Sequence, residues 1–367
     1  MRFLWAAILS ASSLIAGQPA KPPVTAVMYL VNRKDAIADF RAHAARTSIV
    51  APQTFTMDAQ GFILGEVPPE VLRAAADHHV AVMPLVVNKG FNQPLMHTVL
   101  DTPASRARAI RYLLYYALRD GYLGFQFDYE NIHYTYRDKF TVFFKEAARA
   151  FHRHHLQLSA AIVGRYNDSR NSNSPGGWDN WSGVYDYAEL GRYADFLSVM
   201  AYAEHGATAD PGPVAGLPWV KSIAVYSGSR IPPSRISLGV PFYAMRWEMQ
   251  DTKKWRGRSA RYSDAAAAIV TTQPIWDGPR ASPHLSFLTA GHQTELWYED
   301  AHSLQAKMQL ARSMHFAGIS AWALGQEDPA FWTSLDAWKI RHPRPLSSPA
   351  LSTIAPAAPP TCLYVRW

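Results

Sequence analysis

Eight short apolar runs, rich in β-branched and aromatic residues, recur along the chain with helix-patterned segments between most of them. They are Thr25–Val31, Ile49–Met57, Val80–Val87, Gly124–Glu130, Gln157–Gly164, Asp195–Tyr202, Arg235–Tyr243 and Ala317–Leu324. Nearly continuous apolar runs mark strands buried on both faces. Strands alternating with helices mean a parallel sheet. Eight repeats predict an α/β fold closed as a (β/α)8 TIM barrel. The first βα turn carries no Gly-rich dinucleotide fingerprint, which weighs against an open doubly wound sheet.

The intervening helices are legible. A helix is predicted from Thr135, with Asp138 three residues on as a capping box. Phe140, Phe143, Phe144, Ala147 and Phe151 then mark one apolar face at helical spacing. SLQAKMQLARSMHF, from Ser303, predicts the last helix before the final strand. Residues 244–300 are too long for a simple loop. They carry a helical patch, SDAAAAIV, and a strand-like LSFLTAGHQTELWYED with a turn at Ala290-Gly291. This predicts a small inserted α+β lobe after strand seven.

The two ends read differently. Residues 1–20 hold Arg2, an apolar run too short to span a membrane comfortably, and then small residues, the layout of a secretory signal peptide. No later segment reaches membrane length, so no stable membrane insertion is expected beyond that leader. The catalytic barrel is expected over 24–341, and the Pro/Ser/Ala-rich residues 342–367 as a disordered tail. The single cysteine, Cys362, permits no internal disulfide. Export to a bacterial periplasm, cell surface or medium is the expectation.

The formal charge is +7, yet there is no dense Lys/Arg run or nucleic-acid motif, so no nucleic-acid partner is expected. The His-rich HRHH at 152–155 reads as a solvated helix end. HExxH and paired-Cys signatures are absent, so neither metal nor other cofactor is expected. Oligomeric state is not written in the sequence.

The stretch GFQFDYEN, residues 124–131, carries the chemistry. On a strand Phe125, Phe127 and Tyr129 share one face; Gln126, Asp128 and Glu130 share the other. In a barrel the aromatic face packs under the helices, and the polar face climbs toward the catalytic mouth at the carboxyl end. Residues two apart lie roughly 6.5 Å apart along a strand, so the two carboxyls can couple. Coupled carboxyls tend to share one proton, which raises one pKa and leaves a general acid available at neutral pH. Neighbours on one strand are poorly placed to flank a scissile bond from both sides, so the arrangement suits one acid and one helper.

GFQFDYEN, preceded by Asp120-Gly121, resembles the strand-four signature of glycoside hydrolase family 18, the chitinase-like enzymes. FLSVMAYAEH at 196–205 is similar to that family's strand-six Met-x-Tyr-Asp segment. PGPVAGLPWV, from Pro211, follows as in the branch with spore-cortex and peptidoglycan-processing members. LGVPFYAMRW at 238–247 resembles strand seven, and ELWYED…GISAWALGQEDPAFW the final helix and strand eight.

The resemblance covers roughly 24–335 and implies retaining, substrate-assisted hydrolysis of β-linked N-acetylglucosamine glycans, chitin oligosaccharides or peptidoglycan. It implies Glu130 as general acid and base, Asp128 holding the acetamido N–H, and Tyr202 holding the acetamido oxygen. Trp322 would form the sugar floor. Gln126, Tyr243, Trp247, Tyr29 and Met200 are the further candidates for substrate contact. Two departures stand out: Gln126 where the family often has an acid, and Ala203 where the strand-six motif usually has Asp. Glu204 or His205 could compensate for the second. The rival reading is a lectin on the same barrel, retaining the cleft without turnover.

Overall fold

The computed structural model describes residues 25–170, 177–250 and 253–340. The leader at 1–20 and the tail at 342–367, with Cys362, lie outside the described residues.

The barrel strands are β1 (Thr25–Val31), β2 (Ile49–Met57), β4 (Ala81–Val82) with β5 (Leu85–Asn88), β6 (Gly124–Phe127), β7 (Gln157–Val163), β8 (Phe196–Met200), β9 (Ile236–Pro241) and β15 (Gly318–Trp322); β3 (Ile63–Gly65) lies outside the ring. Parallel pairing runs β1-β15-β9-β8-β7-β6-β5-β2, and β1 pairs with β2 to close the ring. The expected eighth-fold alternation is therefore a closed (β/α)8 barrel. The third strand is broken at Pro84, whose ring leaves no N–H for a ladder. β3 runs antiparallel to β2. Gly124 opens β6 because a Cβ there would fall 1.8 Å from the Gln157 carbonyl oxygen.

Outside the ring, Phe127 stacks on Phe143 with centroids 5.2 Å apart, and Phe125 meets the edge of Phe151. The partner helix spans Arg137–His152 and buries every apolar position named from its spacing. Each buried Phe stabilises by about 2 kcal/mol relative to exposure. The predicted capping box at Thr135 does not form. A 3-10 turn, Tyr134–Tyr136, precedes the helix, and the Thr135 hydroxyl pairs with His133 Nδ1 at 2.8 Å instead. The last connecting helix, Ala301–Ser313, starts two residues before Ser303. Its cap is Asp300, which accepts the Ser303 N–H at 2.7 Å while Ser303 Oγ accepts the Asp300 N–H at 3.0 Å.

Inside the ring lies a polar layer. Tyr29 donates to Gln126 Oε1 at 2.7 Å, and Gln126 Nε2 donates to Ser159 and Ser198 at 2.8 and 3.1 Å. Ser320 continues the chain to Ser198 and Ser237. All these side chains are buried and all find partners, as a low-dielectric interior requires.

Between β9 and β15 the chain adds a five-stranded antiparallel sheet. Its strands are β10 (Tyr243–Met249), β11 (Trp255–Arg261), β12 (Ile275–Asp277), β13 (Ser282–Thr289) and β14 (His292–Trp297), in the order β11-β10-β14-β13-β12. The helix Tyr262–Ile269 packs Ala265 against Ala244, Leu285, Leu296 and Tyr298. The β13–β14 turn uses Ala290 and Gly291, both at positive φ, as a two-residue hairpin demands. The β10–β11 hairpin was invisible to the hydropathy pattern, because WRGRSAR looks like a polar loop.

Candidate active site

β6 ends at Phe127, three residues short of the expected strand, so Asp128 and Glu130 lie on the segment that leaves its carboxyl end. That segment is held at successive positions. The Tyr185 hydroxyl donates to the Tyr129 carbonyl at 2.9 Å. Asn88, the last residue of β5, takes the Glu130 N–H on Oδ1 at 3.0 Å and donates Nδ2 to the Glu130 carbonyl at 2.9 Å. Asn131 sits at φ 54 and donates to the Phe91 carbonyl at 3.0 Å.

Asp128 is 3% exposed and accepts from Gln53 Nε2 at 3.0 Å. Burial pushes its carboxyl up to about 6, with the Gln53 hydrogen bond opposing. Burial, reinforced by the Asp128 charge, pushes Glu130 up to about 8. One of the pair therefore keeps a proton at neutral pH, the condition for a carboxyl that must donate.

Tyr202, two residues past β8, is half-buried and feels both carboxylates. Burial chiefly, then the charges of neighbouring groups including Asp128 and Glu130, raises its hydroxyl well above the ordinary tyrosine value, so it stays a neutral donor. Tyr243 meets it edge-on at 6.3 Å. Trp322, half-buried, ends β15 and leans on Tyr29 with centroids 5.5 Å apart. A cis peptide joins it to Ala323. Met200 is half-buried at the end of β8.

Three expected contact residues are placed otherwise. Gln126 and Tyr29 are fully buried and spend their polar atoms on each other and on serines. They lie in the closed interior of the barrel, with Tyr29 against Trp322. Trp247 is also fully buried, packed with Val214, Met245 and Trp297, with its indole N–H toward the Gly206 carbonyl. Pleating alone could not tell these depths apart, since inward residues near a strand's middle and near its mouth share one register.

The second departure keeps its consequence. Ala203 has φ 65, a left-handed conformation that Asp or Asn accepts more readily than Ala. Glu204 Oε2 accepts the Gly216 N–H at 2.7 Å, and His205 Nδ1 lies 3.0 Å from the Asp210 carbonyl. Both are engaged in the loop after β8, so neither stands in for the missing carboxyl. Gln53, Asn88 and Tyr185 were missed by sequence reasoning. Gln53 is a polar residue inside the second apolar run and Asn88 the residue just past the third, but nothing in the local pattern marks either as a partner of the carboxylates.

Among the described residues, one trio gathers potential metal-ligand atoms: Asp39, His43 and Glu327, within 4.8 Å of one another. It lies apart from the carboxylate pair. Its carboxylate oxygens already face His43 Nδ1, Gly325 N, Trp332 Nε1 and Gln326 N.

The model of Glycosyl hydrolases family 18 matches residues 64–327 of this chain. The chain belongs to glycosyl hydrolase family 18. It is a glycoside hydrolase, and the carboxylate pair sits where barrel enzymes keep their chemistry. An uncharacterized glycosylase, YvbX, from Bacillus subtilis (strain 168) is 27% identical over 292 residues, covering 78% of this chain and 83% of the relative. The cortical fragment-lytic enzyme of the same bacterium is 26% identical over 254 residues, and this chain spans 57% of its length. The crystal structure of a chitinase from Chromobacterium violaceum superposes with a TM-score of 0.77 at 26% identity, over 86% of this chain and 98% of that one. The Bacillus cereus spore cortex-lytic enzyme SleL also reaches 0.77, at 21% identity over 87% of this chain and 75% of that one, which speaks to fold alone.

Proposed function

We propose that this family member hydrolyses β-linked N-acetylglucosamine glycans with retention, using the substrate's own acetamido group and Glu130 as general acid and base. The observation that carries the reading is the half-buried Glu130 carboxyl beside Asp128 just past the carboxyl end of β6, where burial and the Asp128 charge push it up to about 8. A protonated carboxyl can give its proton to the glycosidic oxygen as the bond breaks. The acetamido oxygen would close on the anomeric carbon, displacing the aglycone. Asp128 would accept the acetamido N–H and stabilise the positive charge on that ring. Tyr202, kept neutral, would donate to the acetamido oxygen and hold it in line. Glu130, now a carboxylate, would take a proton from water as the water opens the ring. Trp322 would lie flat beneath the sugar.

Relatives are named for cortex fragments and for chitin, and both glycans carry the acetamido group that the reading needs. Export by the leader at 1–20 belongs to the same proposal, since such polymers lie outside the cytoplasm.

The test is hydrolysis of an aryl β-chitobioside and of purified peptidoglycan by the wild type and by Glu130→Gln. Turnover by the wild type, with at least a thousandfold loss and unchanged binding in the variant, is expected. Measurable affinity with no turnover by the wild type on either substrate would replace the enzyme with a lectin.

A further inference from the structure

The alternation of β2 breaks where the strand approaches the carboxylate pair. Gln53 faces Leu85 of β5, and Phe55 faces the next residue, Val86, so Thr54 is one residue too many on β2. Such a slip reverses which side chains point inward beyond it. Ile49 and Ala51 pack inside the ring with Tyr29 and Leu85. A regular strand would send Phe55 inward after them. Instead Phe55 lies outside, with its ring centroid 5.1 Å from Phe125 and 6.2 Å from Tyr122. Gln53 is therefore the last inward side chain of β2, and it is half-buried. The slip has a cost, since the buried Thr54 hydroxyl finds no partner among the described residues.

We propose that Gln53 is the positioning residue that assigns the charges of the pair: its amide makes Asp128 the carboxylate and leaves the proton on Glu130. The inference rests on the glycosidase reading of this cleft. Gln53 Nε2 donates to Asp128 Oδ2 at 3.0 Å, and no other hydrogen bond engages Asp128 through its carboxyl among the described residues. A donor at a carboxylate oxygen favours the ionised form. Burial pushes the Asp128 carboxyl up, and the Gln53 bond opposes it.

The other groups around Asp128 give it no such help. Glu130 is itself an acid whose carboxyl the Asp128 charge raises. Tyr29 of β1, Tyr185 after β7 and Tyr202 after β8 also feel Asp128. Burial chiefly, with the Asp128 charge among the contributors, holds all three hydroxyls above the ordinary tyrosine range, so they are neutral. Asp128 is in no ion pair among the described residues. Gln126, on the same face below it, has its amide nitrogen on Ser159 and Ser198. Without Gln53 the shared proton would divide between two buried carboxyls. A proton on Asp128 disables both roles at once, because Glu130 then has none to give and Asp128 is a poorer acceptor for the acetamido N–H. Gln53 on Oδ2 also leaves Oδ1 for that N–H.

The experiment replaces the donor by Gln53→Met, which keeps the volume, and by Gln53→Leu as a second variant of different shape. kcat/KM on an aryl β-chitobioside is followed between pH 4 and 10. In both variants the acid limb should move up by about one pH unit, the size of one hydrogen bond to a charged group, while the alkaline limb stays. Activity at pH 5 should then fall about tenfold beyond any loss shared by every pH. Carboxyl 13C NMR reads the same change without turnover. In Glu130→Gln the Asp128 carboxyl titrates without its partner, its signal assigned by its loss in Asp128→Asn, and adding Gln53→Met should raise its pKa by about one unit. A loss equal at every pH, with the carboxyl titration unmoved, would reduce Gln53 to a packing residue and overturn the assignment. If the titration moves while the wild type cleaves neither the chitobioside nor peptidoglycan, the assignment of charge stands and the glycosidase reading falls. If the wild type cleaves both and neither limb nor titration responds to the substitutions, the assignment falls and the glycosidase reading stands.

Discussion

Asn88 grips the backbone of Glu130 from both sides, accepting its N–H at 3.0 Å and donating to its carbonyl at 2.9 Å. The amide is fully buried at the end of β5 and so fixes a residue that lies beyond the end of β6. Replacing it by Ala removes both bonds and leaves two backbone groups unsatisfied, costing about 1–3 kcal/mol of stability. A displaced Glu130 should lose roughly a hundredfold in kcat with a smaller change in KM. A purely structural role would not move the pH profile. Here the alkaline limb should shift to lower pH, because a Glu130 nearer solvent loses the burial that holds its proton. Steady-state kinetics between pH 4 and 10 check this.

The carboxyl pair sets the pH profile itself. Its two protons leave in steps that belong to the pair, near about 6 and about 8. Activity should rise through the first step, as one carboxylate becomes available to the acetamido N–H, and fall through the second, as the acid is lost. Stability follows from the same shifts. Both folded values lie above the unfolded carboxyl value, so the folded state binds extra protons between them. Stability is highest below about pH 4 as far as these groups are concerned, and declines as pH rises through about 8. Glu130→Gln should remove much of that decline and unfold at higher denaturant than wild type at pH 9. Chemical denaturation at pH 5 and 9 tests it, and an equal slope in both proteins would contradict the coupling.

The barrel was legible because burial on both faces leaves an almost uninterrupted apolar signal in each strand. The helix at 137–152 was legible through its phenylalanine spacing, although its start was not. Thr135 has the right chemistry for a cap, but the 3-10 turn takes its position and His133 takes its hydroxyl. Asp128 and Glu130 stood out through the resemblance of GFQFDYEN to the family's strand-four signature, since two acids in register are by themselves common by chance. Depth was not: Gln126, Asp128 and Glu130 share a face, yet the first belongs to the interior serine layer. Trp247 carries the same limit, since an aromatic near a strand end is equally fit to pack a lobe or a sugar. Asn88 and Gln53 act through contacts from neighbouring strands, and no local spacing reports those.

Gln126 occupies a place where an amide fits for a definite reason. Its oxygen accepts from Tyr29, and its nitrogen donates to Ser159 and Ser198. Gln126→Ala would break all three bonds and open a cavity, costing about 2–4 kcal/mol. Gln126→Glu is nearly isosteric, and the serine hydroxyls can turn to donate to it. The new carboxyl would be buried beside the layer beneath Asp128 and so stay protonated. Its folded pKa lies above its unfolded value, which predicts near wild-type stability at pH 5 and a loss that grows toward pH 9. Denaturant midpoints at the two pH values decide this.

Lys307 and Glu299 form an ion pair at 2.7 Å in which both side chains are fully buried. Glu299 also accepts from Ser303 at 2.6 Å, yet its Oε1 finds no partner among the described residues. Burial raises the Glu299 carboxyl and Lys307 pulls it back down, while the Glu299 charge acts in turn on Tyr243 in the cleft. Desolvation of two ions offsets most of their attraction, so the pair adds little net stability, but either ion alone is costly. Lys307→Met should therefore destabilise by about 3–5 kcal/mol at pH 8. The loss should shrink toward pH 4, where Glu299 can take up a proton. Combining it with Glu299→Gln should recover most of the deficit at every pH. Urea denaturation of the single and double variants measures the coupling, and additive losses in the double variant would show that the two charges do not compensate each other.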